Sequence, residues 1–220
     1  MRVNFNTLVI PVTAKKTVHN IIILDSSGSM KGGKWSAAVE FANKEMTDYQ
    51  NQDLVNIVFS TIIFSSHNRI VTTQWRATNP TEIDVVKDFH GDMTALNDAI
   101  VTTLIRVKAD NKEEQVLVKI FTDGDENNNR VYNPATVIRL VKECMSQGYT
   151  ITFAGTGEDV RTAQRMYGID KSNTFVHQNT VESIMDYDVQ TRSITMSYFK
   201  SVAKGEDVTK GFYKTIENED

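Results

Sequence analysis

Three short polar segments carry the residues of this sequence that are best suited to chemistry. The first is Asp25-x-Ser27-x-Ser29, which follows an apolar run, and alternation along the chain directs these three side chains to a common side. The second is a glycine-containing loop that places Thr94 before a helical pattern, and the third places Asp123 directly after another apolar run. These segments predict two carboxylates and three hydroxyls at one edge of a sheet.

Such a set of oxygen atoms suits a hard divalent cation. Mg²⁺ prefers oxygen ligands in octahedral geometry at about 2.0–2.1 Å and keeps several waters. Ser27, Ser29 and Thr94 are candidate neutral ligands, while Asp25 and Asp123 supply negative charge, in part through water. Mg²⁺ (or Mn²⁺) is favoured over Ca²⁺, which takes more and longer bonds, and over Zn²⁺, for which no Cys or His is placed. Because neutral hydroxyls supply much of the coordination, the charge of the cation is only partly neutralised, and the cation attracts an external anion. Nearby helix N-termini favour the same anion.

The elements that must position these residues alternate between strand and helix patterns. Apolar runs predict buried strands over residues 18–24, 54–64, 116–121 and 149–154, with residues 69–73 as a hairpin partner beside the second. Helical spacing predicts helices over residues 34–49, 96–107, 160–166 and 180–202, and one more between Pro134 and Gly148. This alternation implies a mostly parallel sheet with helices on both faces and ligands at the carboxyl ends of its strands.

Two extensions are expected around a domain that spans residues 17–203. Val3, Phe5 and Val9 alternate with polar residues, so residues 1–16 could add an edge strand. From Lys204 the chain is polar and charged, which predicts a frayed tail over residues 204–220. Candidates for the core in the last helix are Val181, Ile184, Met185, Ile194 and Tyr198.

The order and context of the polar residues resemble the metal-ion-dependent adhesion site (MIDAS) of von Willebrand factor A-type (vWA) domains. A hydrophobic strand precedes the first motif, Leu96-Asn-Asp98-Ala follows Thr94, and Thr122-Asp123-Gly follows a further strand. The resemblance covers about residues 17–202, with a softer likeness to stand-alone bacterial and phage members in residues 154–175. It implies a doubly wound, Rossmann-like α/β sheet, mostly parallel, with one short antiparallel edge strand and helices on both faces.

What the resemblance implies about function is protein binding. Members of this family mostly bind proteins, often through a ligand Asp or Glu on the metal. By transfer, Ser27, Ser29 and Thr94 are expected to be direct ligands, and Asp25 and Asp123 direct or water-linked ones. We therefore predict a metal-dependent protein-binding domain and no enzyme, since no nucleophile with an adjacent base is evident. A scaffold role in an ATPase or ribonucleoprotein assembly is an alternative.

A second alternative is a nucleotide-binding enzyme. The segment that opens at Gly28 and closes at Lys34 matches most of a phosphate-binding GxxxxGK loop, after a strand and before a helix. The match fails at Trp35, where Ser or Thr should reach Mg²⁺, and it leaves Thr94 unexplained. On the favoured interpretation, Lys31 and Lys34 are solvated residues of a surface loop.

Other polar residues have simpler interpretations. Asp125 and Glu126 are expected to be surface acids, because a calcium-binding loop starting at Asp123 lacks its turn glycine and its closing Glu. Asp98 is either a helix-surface acid or a partner behind the metal ligands, and the second is favoured. His19, within the first strand, is expected to be a hydrogen-bonded core residue.

Composition limits the class of protein. The chain has 220 residues, 40% hydrophobic and 24% charged, which is a globular balance. A net charge of −4 with no basic stripe argues against direct nucleic-acid binding. The single Cys144, expected to be a buried apolar residue, suits a reducing compartment, and we expect the cytoplasm. A signal peptide is not evident, and no apolar run approaches the ~20 residues of a membrane span.

Overall fold

Six strands form one sheet whose middle strands are the apolar runs of the sequence. The computed structural model describes residues 14–110, 112–124, 127, 128 and 130–214. The strand order is β3-β2-β1-β4-β5-β6. Every neighbouring pair is parallel except β2 and β3, so the predicted fold class is confirmed. The strands are β1 (Thr17–Asp25), β2 (Asn56–Phe64), β3 (Ile70–Ala77), β4 (Gln115–Phe121), β5 (Thr150–Gly155) and β6 (Thr174–Val176).

Helices cover both faces of this sheet and create two hydrophobic cores. On β1, Ile22 and Leu24 face one core while Ile21 and Ile23 face the other, which explains why this strand is apolar at successive positions. None of the helices in the described residues is long and apolar enough to cross a membrane. The first core is packed by α1 (Gly33–Gln50) and α5 (Val181–Lys204), and the second by α2 (Leu96–Asp110), α3 (Pro134–Ser146) and α4 (Gly157–Thr162).

The topology brings the ends of β1 and β4 together. β1 lies between β2 and β4, with Leu24 opposite Ile63 on one side and Phe121 on the other. The chain therefore leaves β1 at Asp25 next to the point where it leaves β4. The strand order of this sheet reverses direction between β1 and β4. In open α/β sheets, ligands bind in the crevice at the carboxyl ends of the two strands where the order reverses.

The structure corrects the prediction of a frayed tail after Lys204. Val208, Phe212 and Tyr213 are buried in the first core, and Asn173 binds the backbone of this segment at Thr209 O and Phe212 N. Residues 205–214 therefore pack onto the domain, and the expectation is wrong as far as residue 214. The remainder of the predicted tail and the proposed edge strand with Val3, Phe5 and Val9 lie outside the described residues.

Two smaller differences concern the last third of the chain. Strand β6 is not among the predicted strands, because its three residues are too few to show a pattern. Met185, a predicted core residue of α5, is 51% exposed. Ile184, Ile194 and Tyr198 are buried as predicted.

His19 is a hydrogen-bonded core residue, as predicted. Its Nε2 lies 2.7 Å from Ser60 Oγ, and its Nδ1 lies 3.3 Å from Glu114 Oε1. Arg76 pairs with both oxygens of Glu114 and donates its backbone N–H to Ser60 Oγ at 2.9 Å. Ser60 therefore does have an adjacent base, which the sequence did not show. Its side chain is buried, with the whole residue 1% exposed, so this serine is closed to substrates.

We expect His19 to make the fold less stable in acid. Burial lowers the pKa of His19 to about 4; nearby Glu114 opposes this shift and Arg76 adds to it. The unfolded chain binds this proton below about pH 6.5 and the fold does not, so stability is complete above that pH and falls toward pH 4. The loss from this residue between pH 8 and pH 5 is about 2 kcal/mol.

Urea unfolding at both pH values measures this loss. The pH-dependent difference between wild type and His19→Asn isolates it, and His67→Asn, in a surface turn, is the matched control. If the free energy of unfolding changed with pH equally in wild type and His19→Asn, the role of His19 in acid destabilisation would be contradicted.

Candidate metal centre

Asp25 anchors the site at the end of β1. Asp25 is 0% exposed. Both of its carboxylate oxygens accept hydrogen bonds: Oδ1 from Ser27 N at 2.7 Å and Oδ2 from Thr122 Oγ1 at 2.5 Å. Burial raises the pKa of Asp25 to about 7, although these two hydrogen bonds act in the opposite direction. A carboxylate whose charge is disfavoured by burial is a good partner for a cation, because a nearby positive charge restores the ionised form.

The two serine hydroxyls connect Asp25's loop to β4. Ser27 Oγ lies 2.9 Å from Ser29 Oγ, and Ser29 Oγ donates to Asp123 Oδ1 at 2.6 Å. Their convergence comes from a 3₁₀ turn, Gly28–Met30, and not from the alternation of an extended strand. Ser27 precedes this turn without capping it through its side chain. Its hydroxyl is thus directed into the site.

Thr94 reaches the same place from a separate loop. A Cβ atom added to Gly124 would lie 3.4 Å from Thr94 Oγ1 and 3.5 Å from Ser29 Oγ, so the two hydroxyls flank one point. Asn127 fixes this loop to the end of β4, because its Oδ1 accepts from Thr94 N at 2.8 Å and its N donates to Thr94 O at 3.1 Å. A Cβ at position 124 would be in ordinary van der Waals contact with both hydroxyls, which places the backbone of Gly124 directly beside the site.

Backbone hydrogen bonds fasten the first two loops together. Gly28 N donates to Asp92 O at 2.8 Å, and Gly91 N donates to Ser26 O at 2.9 Å. Gly91 adopts a left-handed conformation with φ of 66°, which favours glycine at this position. The loops that carry Ser29 and Thr94 therefore hold each other in place.

Lys34 was predicted to be solvated, but in the structure its charged group is paired within the site. Its Nζ donates to Asp123 Oδ2 at 2.5 Å and to Asn179 Oδ1 at 2.8 Å, and its side chain is only 19% exposed. Asn179 lies between β6 and α5, and sequence reasoning did not include it. Its position after a strand that joins the parallel sheet was the available signal, but β6 is too short to be recognised in the sequence.

Asp98 is buried and is not an acid of the helix surface. It is 1% exposed, and its Oδ1 accepts from Tyr132 N at 2.8 Å and from Val131 N at 3.3 Å. It thus holds the loop after β4 through backbone groups, and a role behind the metal ligands stays a prediction. Asp125 and Glu126 lie outside the described residues.

The residues present fit a hydroxyl-rich divalent site. All five predicted positions lie at one sheet edge, with Ser27, Ser29 and Asp123 in direct contact. Across the described ranges, no group of three or more His, Cys, Asp or Glu side chains could hold a metal. Two carboxylates with three hydroxyls suit Mg²⁺ or Mn²⁺ better than Zn²⁺, which favours Cys and His. Their role as ligands stays a prediction.

A sequence model of the von Willebrand factor type A domain matches residues 21–191. The chain belongs to the von Willebrand factor type A family. The match includes all five predicted site positions. It confirms the resemblance to the vWA family, and the metal-ion-dependent adhesion site stays a prediction.

One relative is a much longer protein, which this chain matches over part of its length. Human inter-alpha-trypsin inhibitor heavy chain H4 is 28% identical in an alignment of 158 residues that covers 65% of this chain and 16% of the relative. The chain therefore spans about one sixth of that relative's length.

Solved structures share the fold. The pilus adhesin SpaC from Lactobacillus rhamnosus GG matches with a TM-score of 0.65 and 15% identity, over 87% of this chain and 32% of the adhesin. The SpRpn10 VWA domain matches with a TM-score of 0.57 and 14% identity, over 80% of this chain and 94% of that domain. At these identities the likeness establishes the fold alone.

The nucleotide-binding alternative gains no support from the structure or the comparisons. Gly28 begins a 3₁₀ turn, and Lys34 is engaged by Asp123 and Asn179. Trp35 is buried, with its Nε1 donating to Val85 O at 2.8 Å, so it serves packing.

Proposed function

We propose that this vWA domain binds a protein partner through one divalent cation, Mg²⁺ or Mn²⁺, whose coordination is completed by an Asp or Glu of the partner. The observation that carries this proposal is the Ser29 hydroxyl, which contacts both Ser27 and Asp123 and shares the space over Gly124 with Thr94. The proposed ligands, bound directly or through water, are Asp25, Ser27, Ser29, Thr94 and Asp123.

The chain's own residues support capture of an anion. Three hydroxyls supply oxygen without charge, so two carboxylates are the negative groups of the proposed site. When bound, the cation offers an open position to an external oxygen ligand. Lys34 adds a positive charge beside Asp123. A partner carboxylate would therefore be attracted by two cations at the edge of the sheet.

The family supports a binding role. vWA domains generally mediate interactions between proteins, and SpaC is itself a pilus adhesin. We propose that this domain has no catalytic turnover. Ser60, the serine that His19 contacts, is buried and accepts a hydrogen bond from Arg76 N, which closes it to substrates. Phosphate release from ATP by the purified domain would count against this. Neither a scaffold role in an ATPase or ribonucleoprotein assembly nor a bacterial or phage origin gains support, and the cytoplasmic location stays a prediction.

We expect Ser29→Ala to weaken binding of Mn²⁺ by about tenfold or more, since even residues behind metal ligands change affinity by 10–100-fold. Thr94→Val, which keeps the shape of the side chain, should do the same. Ser36→Ala is the matched control, because its hydroxyl lies nearby on α1 and donates to Gly32 O. Electron paramagnetic resonance of free Mn²⁺ measures the affinity, and circular dichroism verifies folding.

The carboxylate part of the proposal is tested with acetate against acetamide. Acetate should tighten Mn²⁺ binding by the wild type, and acetamide, which has the same shape without charge, should not. Partners captured in Mg²⁺ by wild type but not by Ser29→Ala can then be tested by replacing their Asp and Glu residues. Equal Mn²⁺ affinity in Ser29→Ala, Thr94→Val and Ser36→Ala would exclude the site.

A further inference from the structure

Lys34 holds the negative group that the proposed metal needs. It stands in the first turn of α1, with Nζ 2.5 Å from Asp123 Oδ2. The other oxygen of Asp123 accepts from Ser29 at 2.6 Å, and the Asp123 side chain is 0% exposed. Both oxygens of this carboxylate are therefore engaged by the chain itself, one of them by a full positive charge.

A metal at Asp123 would share this carboxylate with the ammonium group. Two cations next to one buried carboxylate repel each other, and this repulsion is poorly screened where water is excluded. Asn179 adds a second attachment, because its Oδ1 accepts from Nζ at 2.8 Å. The positive charge of Lys34 is thus kept beside the site even when its hold on Asp123 is weakened.

An external carboxylate changes this balance. It neutralises part of the charge of both cations and so reduces their mutual repulsion. Metal and carboxylate should therefore strengthen each other's binding, and such coupling is reciprocal by thermodynamic linkage.

We propose that Lys34 is a built-in counter-ion of Asp123 that lowers the affinity for the divalent metal alone and couples metal binding to capture of a carboxylate. This inference rests on the proposed function and names a specificity-determining residue for it. In its metal-free form the domain keeps Asp123 paired, and the site gains affinity for the metal when an acidic ligand is present.

The test is Mn²⁺ titration of wild type, Lys34→Met and Lys31→Met, each with and without acetate. Lys31 is the matched control, because it is an exposed lysine in the same loop. Without acetate, Lys34→Met is expected to bind Mn²⁺ about tenfold more tightly than wild type, as expected for the loss of one charge-assisted contact. Acetate should enhance Mn²⁺ binding less in Lys34→Met than in wild type. Lys34→Arg keeps the charge and should resemble wild type.

A second readout does not depend on metal. In chelator, Lys34→Met should melt at a lower temperature than Lys31→Met, because Asp123 loses its partner. In saturating Mn²⁺ the gap should close or reverse. Equal melting temperatures of Lys34→Met and Lys31→Met, both in chelator and in saturating Mn²⁺, would overturn the inference.

Failure of the inference is distinguishable from failure of the proposed function. If wild type binds Mn²⁺ and Ser29→Ala does not, but Lys34→Met matches Lys31→Met, the metal site stands and the role of Lys34 is wrong. If all folded variants fail to bind Mn²⁺, both are wrong. If Lys34→Met alone gains affinity and loses the acetate effect, both are supported.

Discussion

Glu45→Ala is expected to destabilise the domain by about 3–5 kcal/mol, because it leaves a buried lysine without its counter-ion. Lys119 of β4 contacts Glu45 of α1, and the two side chains are 2% and 1% exposed. Lys119 Nζ also donates to Thr195 Oγ1 of α5 at 2.8 Å. Burial lowers the pKa of Lys119, and Glu45 opposes that shift. Urea unfolding of wild type and variant measures the difference.

A double variant separates the charge from the packing. Glu45→Met combined with Lys119→Met replaces the pair by apolar side chains, and such replacements are often neutral or stabilising. We expect this variant to recover to within about 1 kcal/mol of wild type. Two results would contradict the claim that Glu45 stabilises the fold by pairing with Lys119. One is a double variant no more stable than Glu45→Ala, and the other is a Glu45→Ala variant that unfolds at the same urea concentration as wild type.

The centre of the sheet was predictable because burial on both faces demands apolar residues at successive positions. Residues 18–24 and 116–121 show such runs, and they form β1 and β4. The start of α3 was equally clear, since Pro134 occupies its first turn, and the structure adds a cap from Asn133, which accepts from Thr136 N. Local chemistry decides these features.

The packing of residues 205–214 was not predictable from local patterns. Phe212 and Tyr213 stand among polar and charged residues, so their neighbourhood suggests solvent. Their burial depends on contacts with distant elements: Asn173 holds Phe212 N at 3.0 Å, and Tyr213 OH lies 3.0 Å from Tyr187 OH. Only the folded arrangement supplies these partners.

In the candidate site, too, residues with a local pattern were predictable, and a residue whose partner is distant in sequence was not. Asp25, Ser27 and Ser29 are close in sequence and were found as a motif, and Thr94 and Asp123 were found from their places before a helical pattern and after an apolar run. Lys34 was expected to be solvated because lysines are mostly exposed. Its actual partner, Asp123, lies 89 positions away, and no local pattern connects them.

A chain that ends at Lys204, the boundary expected from the sequence, should not form a stable domain. It lacks Val208, Phe212 and Tyr213, which are 8%, 6% and 4% exposed in the first core. Truncating one large buried aromatic residue to alanine costs about 3–5 kcal/mol. Loss of all three side chains should therefore consume most of a typical stability of about 5–15 kcal/mol.

The truncation also removes hydrogen bonds that join residues 205–214 to the rest of the fold. Thr150 Oγ1 would lose its acceptor Val208 O at 2.7 Å, and Asn173 would lose its bonds to Thr209 and Phe212. Buried polar groups left unpaired each cost about 1–3 kcal/mol. Chains ending at residues 204, 214 and 220 should be compared by circular dichroism and urea unfolding. The chain ending at 214 keeps every contact named here and should fold. If the 204 chain unfolded at the same urea concentration as the 214 chain, residues 205–214 would be dispensable.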